Sequence, residues 1–194
     1  MIDRRAVLTA SLGLALPVTS KAAETTGPSS RVIQLAKTAL NAHSTRIPHR
    51  DRVAIADFSL FSARPRFHIV DVQSGAVKSF LVAHGKGSDP GHTGWLKRFS
   101  NAPGSEATSE GAYVTGDAYY GNHGLSRRLV GLDPQNSNAE SRAIVIHSAW
   151  YVSTELARKG AIGRSQGCFA LASDDHKTVM DLLGAGRLIM AARA

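Results

Sequence analysis

Cysteine occurs once in the 194 residues, at Cys168. A disulfide within the chain is thereby excluded, and the thiol is either buried filler or a reagent. The longest apolar run, near the start, is about a dozen residues, short of the ~20 needed to cross a bilayer, so no permanent membrane anchor is expected. Neither H-E-x-x-H nor H-x-H occurs, although His84, His92 and His123 fall in loop-rich sequence. A zinc-dependent peptidase therefore lacks its usual ligand spacing, and no metal or cofactor is expected. Repeats and low-complexity stretches are also missing, which leaves an ordinary globular chain.

Hydrophobic residues make up 43% and charged residues 20%, with 18 Gly and 7 Pro supplying turns. The length suits one domain with one core. Its first residues differ from the rest. Arg4 and Arg5 precede the apolar or small stretch from Ala6 to Leu16, followed by Pro17 and the small residues around Ala22. That pattern is a secretory signal peptide over residues 1–22, and the paired arginines in "DRRAVLT" also fit twin-arginine export. Removal of this segment takes a net +2 from the chain's +8 and leaves +6. The expected protein is exported to the periplasm or cell envelope. Its basic charge suits either an anionic neighbour such as a cell wall or simple solubility, and nucleic acid is not an expected partner.

Residues 23–51 read as a tether and an N-terminal helix. In "RVIQLAKTALNAH", Val32, Ala36, Ala39 and Leu40 form one stripe at helical spacing, with Ser30 as the expected cap and the helix over about 31–41. From Arg52 the period shortens: "RVAIADF", "RFHIVDV" and "VKSFLVAHG" predict a β-meander, with a turn at Gln73 to Ala76. Gly85 to Glu110 reads as a long ordered loop beside a site, since Trp95, Leu96 and Phe99 give it something to pack. More strands are expected at 112–115, 128–131 and 143–147, then a helical turn near 153–159. "SDDHKTVMDLLGAG" predicts a helix capped by Ser173 and stopped by Gly184, and "RLIMAA" a strand closing the sheet. The sum is mostly β, an α+β fold with a few packing helices.

The lone thiol sits in "GRSQGCFAL". Gly167 permits an unusual backbone angle, and the N–H groups of Gly167 and Cys168 could face one pocket and hold an oxyanion. A free thiol is mostly protonated at neutral pH, so catalysis needs a histidine or a cation beside it. Of eight histidines, His147 ends "RAIVIHS", a strand apolar on both faces and so expected to be central. Strand ends give catalytic groups a rigid support. Trp150 and Tyr151 follow closely and could wall a cleft. A histidine at a strand end is more often a surface or hydrogen-bonded residue than a base.

The pair "IVIHSAWYV" and "GRSQGCFAL", sixteen residues apart between Ser148 and Ser165, resembles the signature of the murein L,D-transpeptidase catalytic-domain family (YkuD-like). Further segments of "LVAHGKGSDP", "RFSNAPGSEATSEGAYVTG" and "GNHGLSRRLVGLDPQNSNAESRAIVIH" extend the resemblance over about 52–190. It implies a catalytic domain over 52–194, folded as a β-sandwich or barrel with flanking helices. It implies Cys168 as nucleophile, His147 as base, a main-chain carbonyl at or near Ser148 orienting the imidazole, and peptidoglycan stem peptides as substrate. A thioester on Cys168 would be released by an acceptor amine or by water. Arg164, Ser165, Gln166, His84, Trp150 and Tyr113 are the expected substrate contacts. Arg164 suits a peptide carboxylate, with a solvated surface arginine as the competing reading, and Tyr113 fits either the cleft or the core. Gln166 stands where the wider family has histidine and Ala170 where many members have Asn or Arg, which implies altered specificity ahead of lost catalysis. A non-catalytic wall-binding module of the same fold is the remaining competitor.

Overall fold

The structure, a computed structural model, describes residues 28–194; the expected signal peptide and the start of the tether lie outside them. Among the described residues no helix is long and apolar enough to cross a membrane. Helix α1 (Pro28–Ala42) starts ahead of the expected cap, so Ser30 falls inside its first turn. Proline is tolerated in the first turn because its missing N–H would have no partner there. The predicted stripe of Val32, Ala36, Ala39 and Leu40 is buried.

Eight strands form one mixed sheet: β1 (Arg52–Asp57), β2 (Phe67–Asp71), β3 (Val77–Phe80), β4 (Gly111–Gly121), β5 (Gly124–Gly131), β6 (Val145–Ser148), β7 (Phe169–Leu171) and β8 (Leu188–Ala192). Their spatial order is β3-β2-β1-β8-β4-β5-β6-β7. The predicted meander is β1, β2 and β3, paired antiparallel. Parallel pairing joins β1 to β8 and β6 to β7. The two edges of the sheet meet, because Val82 beyond β3 bridges to Leu171 and the Ala83 N–H donates to the Ala170 carbonyl at 2.9 Å. A barrel-like wall results, with its edge strands covered.

The interior of that wall is the main core, and its centre is aromatic. Phe169, fully buried, meets Tyr113 edge-on at 5.4 Å and lies 6.3 Å from both Phe58 and Phe67. Helix α3 (Ser173–Leu182) contributes Val179 and Met180 to the same core. On the outer face, Val53, Ile55 and Val70 pack against α1, which is why β1 reads as an unbroken apolar run. Helix α2 (Thr154–Arg158) is capped by Ser153, whose hydroxyl accepts from Leu156 N–H.

Three expectations are corrected. "RLIMAA" does not close the sheet but runs through its middle, between β1 and β4. β6 is not central; it is second from the β7 edge, and its apolar pattern follows from cover on both faces near the seam. Ser173 is the first residue of α3, with extended Ala172 in the capping position and no side-chain cap.

Candidate active site

The parallel register sets Ile146 opposite Phe169 and His147 opposite Ala170. Side chains alternate along a strand, so with Ile146 and Phe169 in the core, His147 takes the outer face. Cys168, two residues before Ala170, opens on the same side. Both line a cleft of about 940 Å³, and Arg164, Ser165, Gln166 and Tyr151 line it with them. Five of the expected site residues thus share one cleft.

His147 is only 2% exposed, and its Nδ1 donates to the Ser148 carbonyl at 2.9 Å. That bond fixes the tautomer in which Nε2 carries the lone pair. Burial lowers the His147 pKa, the Ser148 hydrogen bond opposes this, and nearby His123 and His176 lower it further. The ring is neutral at neutral pH. Cys168 is half-buried, and burial holds its thiol above the usual range, against the pull of the Val145 N–H and the Arg142 guanidinium. A thiol held in this way needs a base before it can attack. Its Sγ rests 3.5 Å from the Ala143 carbonyl. Ala143 has φ +51°, left-handed for a residue with a Cβ. Such strain gathers at functional sites.

The turn before Cys168 is braced internally. Ser165 Oγ donates to the Cys168 carbonyl at 2.7 Å and accepts from the Gly167 N–H at 3.1 Å. The Gly167 amide thus has a partner within the turn. Gly167 has φ +115°, and a Cβ there would lie 2.7 Å from the Ala107 carbonyl. Its role is to let the long loop pass behind the thiol.

That loop is ordered, as expected, and closes one side of the cleft through Lys86, Pro103, Gly104 and Glu106. Arg142 ties it down, donating to the carbonyls of Ser100 and Ala107 and to Ser109 Oγ at 2.6 to 2.9 Å. Arg164 donates to the Asp89 and Pro90 carbonyls. Lys86 pairs with Glu106 at 2.7 Å, so cations outnumber carboxylates along the cleft.

Three expected contacts lie elsewhere. Tyr113 is fully buried, its hydroxyl donating to the Ser109 carbonyl, and packs in the core. Trp150 is 85% exposed and stands edge-on to Tyr151, so the second aromatic of the pair reaches the cleft and the first does not. His84 is buried behind the turn, where Nδ1 accepts from Arg66 at 2.8 Å and Nε2 lies 3.4 Å from Asp89. Sequence reading missed Arg142 and the cleft role of His123. The first sits five residues before His147 in an unremarked loop, and the second in a hairpin turn, "GNHG", whose reach depends on strand pairing. His84, His92 and His123 occupy separate surroundings, and no three metal-ligating groups converge among the described residues.

Residues 24–191 match the sequence model of the family described as L,D-transpeptidase catalytic domain (YkuD_2). Solved structures similar to this chain include an L,D-transpeptidase from Mycobacterium smegmatis, 13% identical, covering 73% of this chain and 58% of that one, with a TM-score of 0.46. L,D-transpeptidase 3 from Mycobacterium tuberculosis is 15% identical, covering 73% and 61%, with a TM-score of 0.42. The helical cell shape determining protein Pgp2 from Campylobacter jejuni is 13% identical, covering 85% and 56%, with a TM-score of 0.45. This chain spans less than two thirds of the length of each. A search of curated proteins gives no match.

Proposed function

The chain belongs to the L,D-transpeptidase catalytic-domain family, and from that membership we propose that it is a cysteine-dependent peptidoglycan L,D-transpeptidase acting on the stem tetrapeptide through a thioester. The observation that carries this reading is the opening of Cys168 and His147 into one cleft, with Nδ1 of His147 held by Ser148 so that Nε2 is left to act as base.

The thiol turns from the Ala143 carbonyl toward Nε2, which takes its proton as the sulfur attacks the carbonyl carbon of the third, diamino residue. The C–N bond to the terminal D-alanine breaks, and the proton on His147 passes to the departing amine. An acceptor amine then attacks the thioester carbonyl and loses a proton to His147, and the released sulfur recovers that proton. Arg142 and the Val145 N–H favour the transient thiolate. The surplus of cations along the cleft suits a substrate bearing carboxylates, with Arg164 pairing one of them and exposed Gln166 hydrogen-bonding the stem. The protein works in the periplasm or cell envelope, with residues 1–22 as its export signal.

Incubating the purified protein with a disaccharide tetrapeptide and weighing the products tests this. Cross-linked dimers are expected. Tripeptides alone would make it an L,D-carboxypeptidase using water as acceptor, and unaltered tetrapeptide would leave a wall-binding protein without turnover.

A further inference from the structure

β4 pairs with β8 only over Gly111–Val114, and its register with β5 breaks between Thr115 and Ala118. Beyond the break, residues 118–121 pair only with β5, forming the outer half of a hairpin. Such irregularities bend a strand and re-aim what it carries. The hairpin turns through Asn122 and His123 into Gly124, whose φ of +73° the turn requires. At its tip the His123 ring lies on the His147 ring, with centroids 4.3 Å apart and planes 22° from parallel. His123 is otherwise exposed. Below it, Tyr119 lines the cleft and is backed by the Arg128 guanidinium, 4.4 Å from its ring.

Building on the reading of His147 as the base for Cys168, we propose that His123 is a positioning residue. Its ring clamps the His147 imidazole from the open side of the cleft. The bond from Nδ1 to Ser148 holds one edge of the base. A flat ring stacked on its face opposes tilting about that edge.

Positive charge on both of two rings this close is unfavourable, and His123 is accordingly among the causes that lower the His147 pKa, behind burial. The other titratable group placed to lower the His147 pKa is His176 of α3. Cys168 and His147 line the same cleft, whose remaining charged borders are Lys86, Glu106, Arg142 and Arg164, with Arg128 behind Tyr119. His123 alone among these touches the His147 ring face.

The test uses the whole protein and two readouts: NMR titration of the histidine rings, and the pH profile of Cys168 alkylation by iodoacetamide. His123→Phe keeps a flat ring and removes the proton. Its His147 midpoint should move up in pH, and the acid limb of its alkylation profile should move up with it. His123→Ala removes the clamp as well and should lower the alkylation plateau, which His123→Phe restores. A His147 midpoint unmoved in His123→Phe, or a plateau unmoved in His123→Ala, would overturn the proposal. His147→Ala separates this idea from the one beneath it. An alkylation profile there that superimposes on the wild type would overturn the assignment of His147 as base, whereas the NMR midpoint reports on the ring pair regardless.

Discussion

Two buried histidines, His84 and His147, lie near the same turn and differ in what their rings face. His84 is 1% exposed and sits in a knot with Arg66 and Asp89, both fully buried. Arg66 donates to the Val82 and Leu60 carbonyls and to His84, and Asp89 accepts from Thr93 and Gly94. The knot holds the turn from behind: the Ser165 N–H donates to the His84 carbonyl, and the Ser165 carbonyl accepts from Lys86. His147 is nearly as buried, but one of its ring nitrogens borders open space. Burial alone therefore does not mark a site. What separates the two is whether every polar edge of the ring faces protein.

The comparison can be broken most forcefully at His147. Replacing it with Ala should lower turnover by about 10² to 10⁴, the usual worth of a general base. The melting temperature should fall only modestly, as the change gives up the Ser148 bond and the stack beneath the His123 ring but breaks no buried charge pair. A variant that instead loses stability and keeps its rate would make His147 a structural residue like His84.

The converse change is Arg66→Met, which leaves the Val82 and Leu60 carbonyls and His84 Nδ1 without their buried donor. Each buried polar group left unsatisfied costs about 1 to 3 kcal/mol. Urea unfolding should show a loss of that order, with activity in the surviving folded fraction little changed.

Acid sharpens the contrast further. Burial, reinforced by Arg66, lowers the His84 pKa to about 4. The unfolded chain binds that proton near pH 6.5, and the folded chain only near 4. The His84 contribution is thus complete above pH 6.5 and is lost as the pH falls toward 4, by up to about 3 kcal/mol. Unfolding midpoints measured from pH 7 to pH 4 should decline over that window, and should do so less in a His84→Leu variant.

The smallest effect is expected outside both regions. Trp150→Ala should change stability by no more than about 0.5 kcal/mol, because its side chain is in solvent. It should also leave cleft chemistry unaltered, as measured by D-alanine release, whereas Tyr151→Ala should slow it.

Periodicity carried the outer half of the molecule: the α1 stripe, the β1-β2-β3 meander and the order of the later strands can all be read from spacing. Strand neighbours cannot. The parallel placement of β8 beside β1, and the seam of Val82 against Leu171, join residues more than 80 positions apart in the chain and leave no local mark. The same limit governs the site. Cys168 and His147 stood out because a glycine turn and a strand end are local features. His84 could not be told from a substrate contact, because what decides its role is Arg66, eighteen residues away, reaching it through the barrel interior. His123 was visible only as a residue in a turn, since its place over His147 depends on where the β4 register breaks.

The decisive measurement is the intact mass of the protein during incubation with a disaccharide tetrapeptide. The wild type should gain the mass of the donor less D-alanine, mapped to the peptide containing Cys168, and Cys168→Ala should gain nothing and release no D-alanine. Release of D-alanine by Cys168→Ala at the wild-type rate would contradict the assignment of the sulfur as nucleophile.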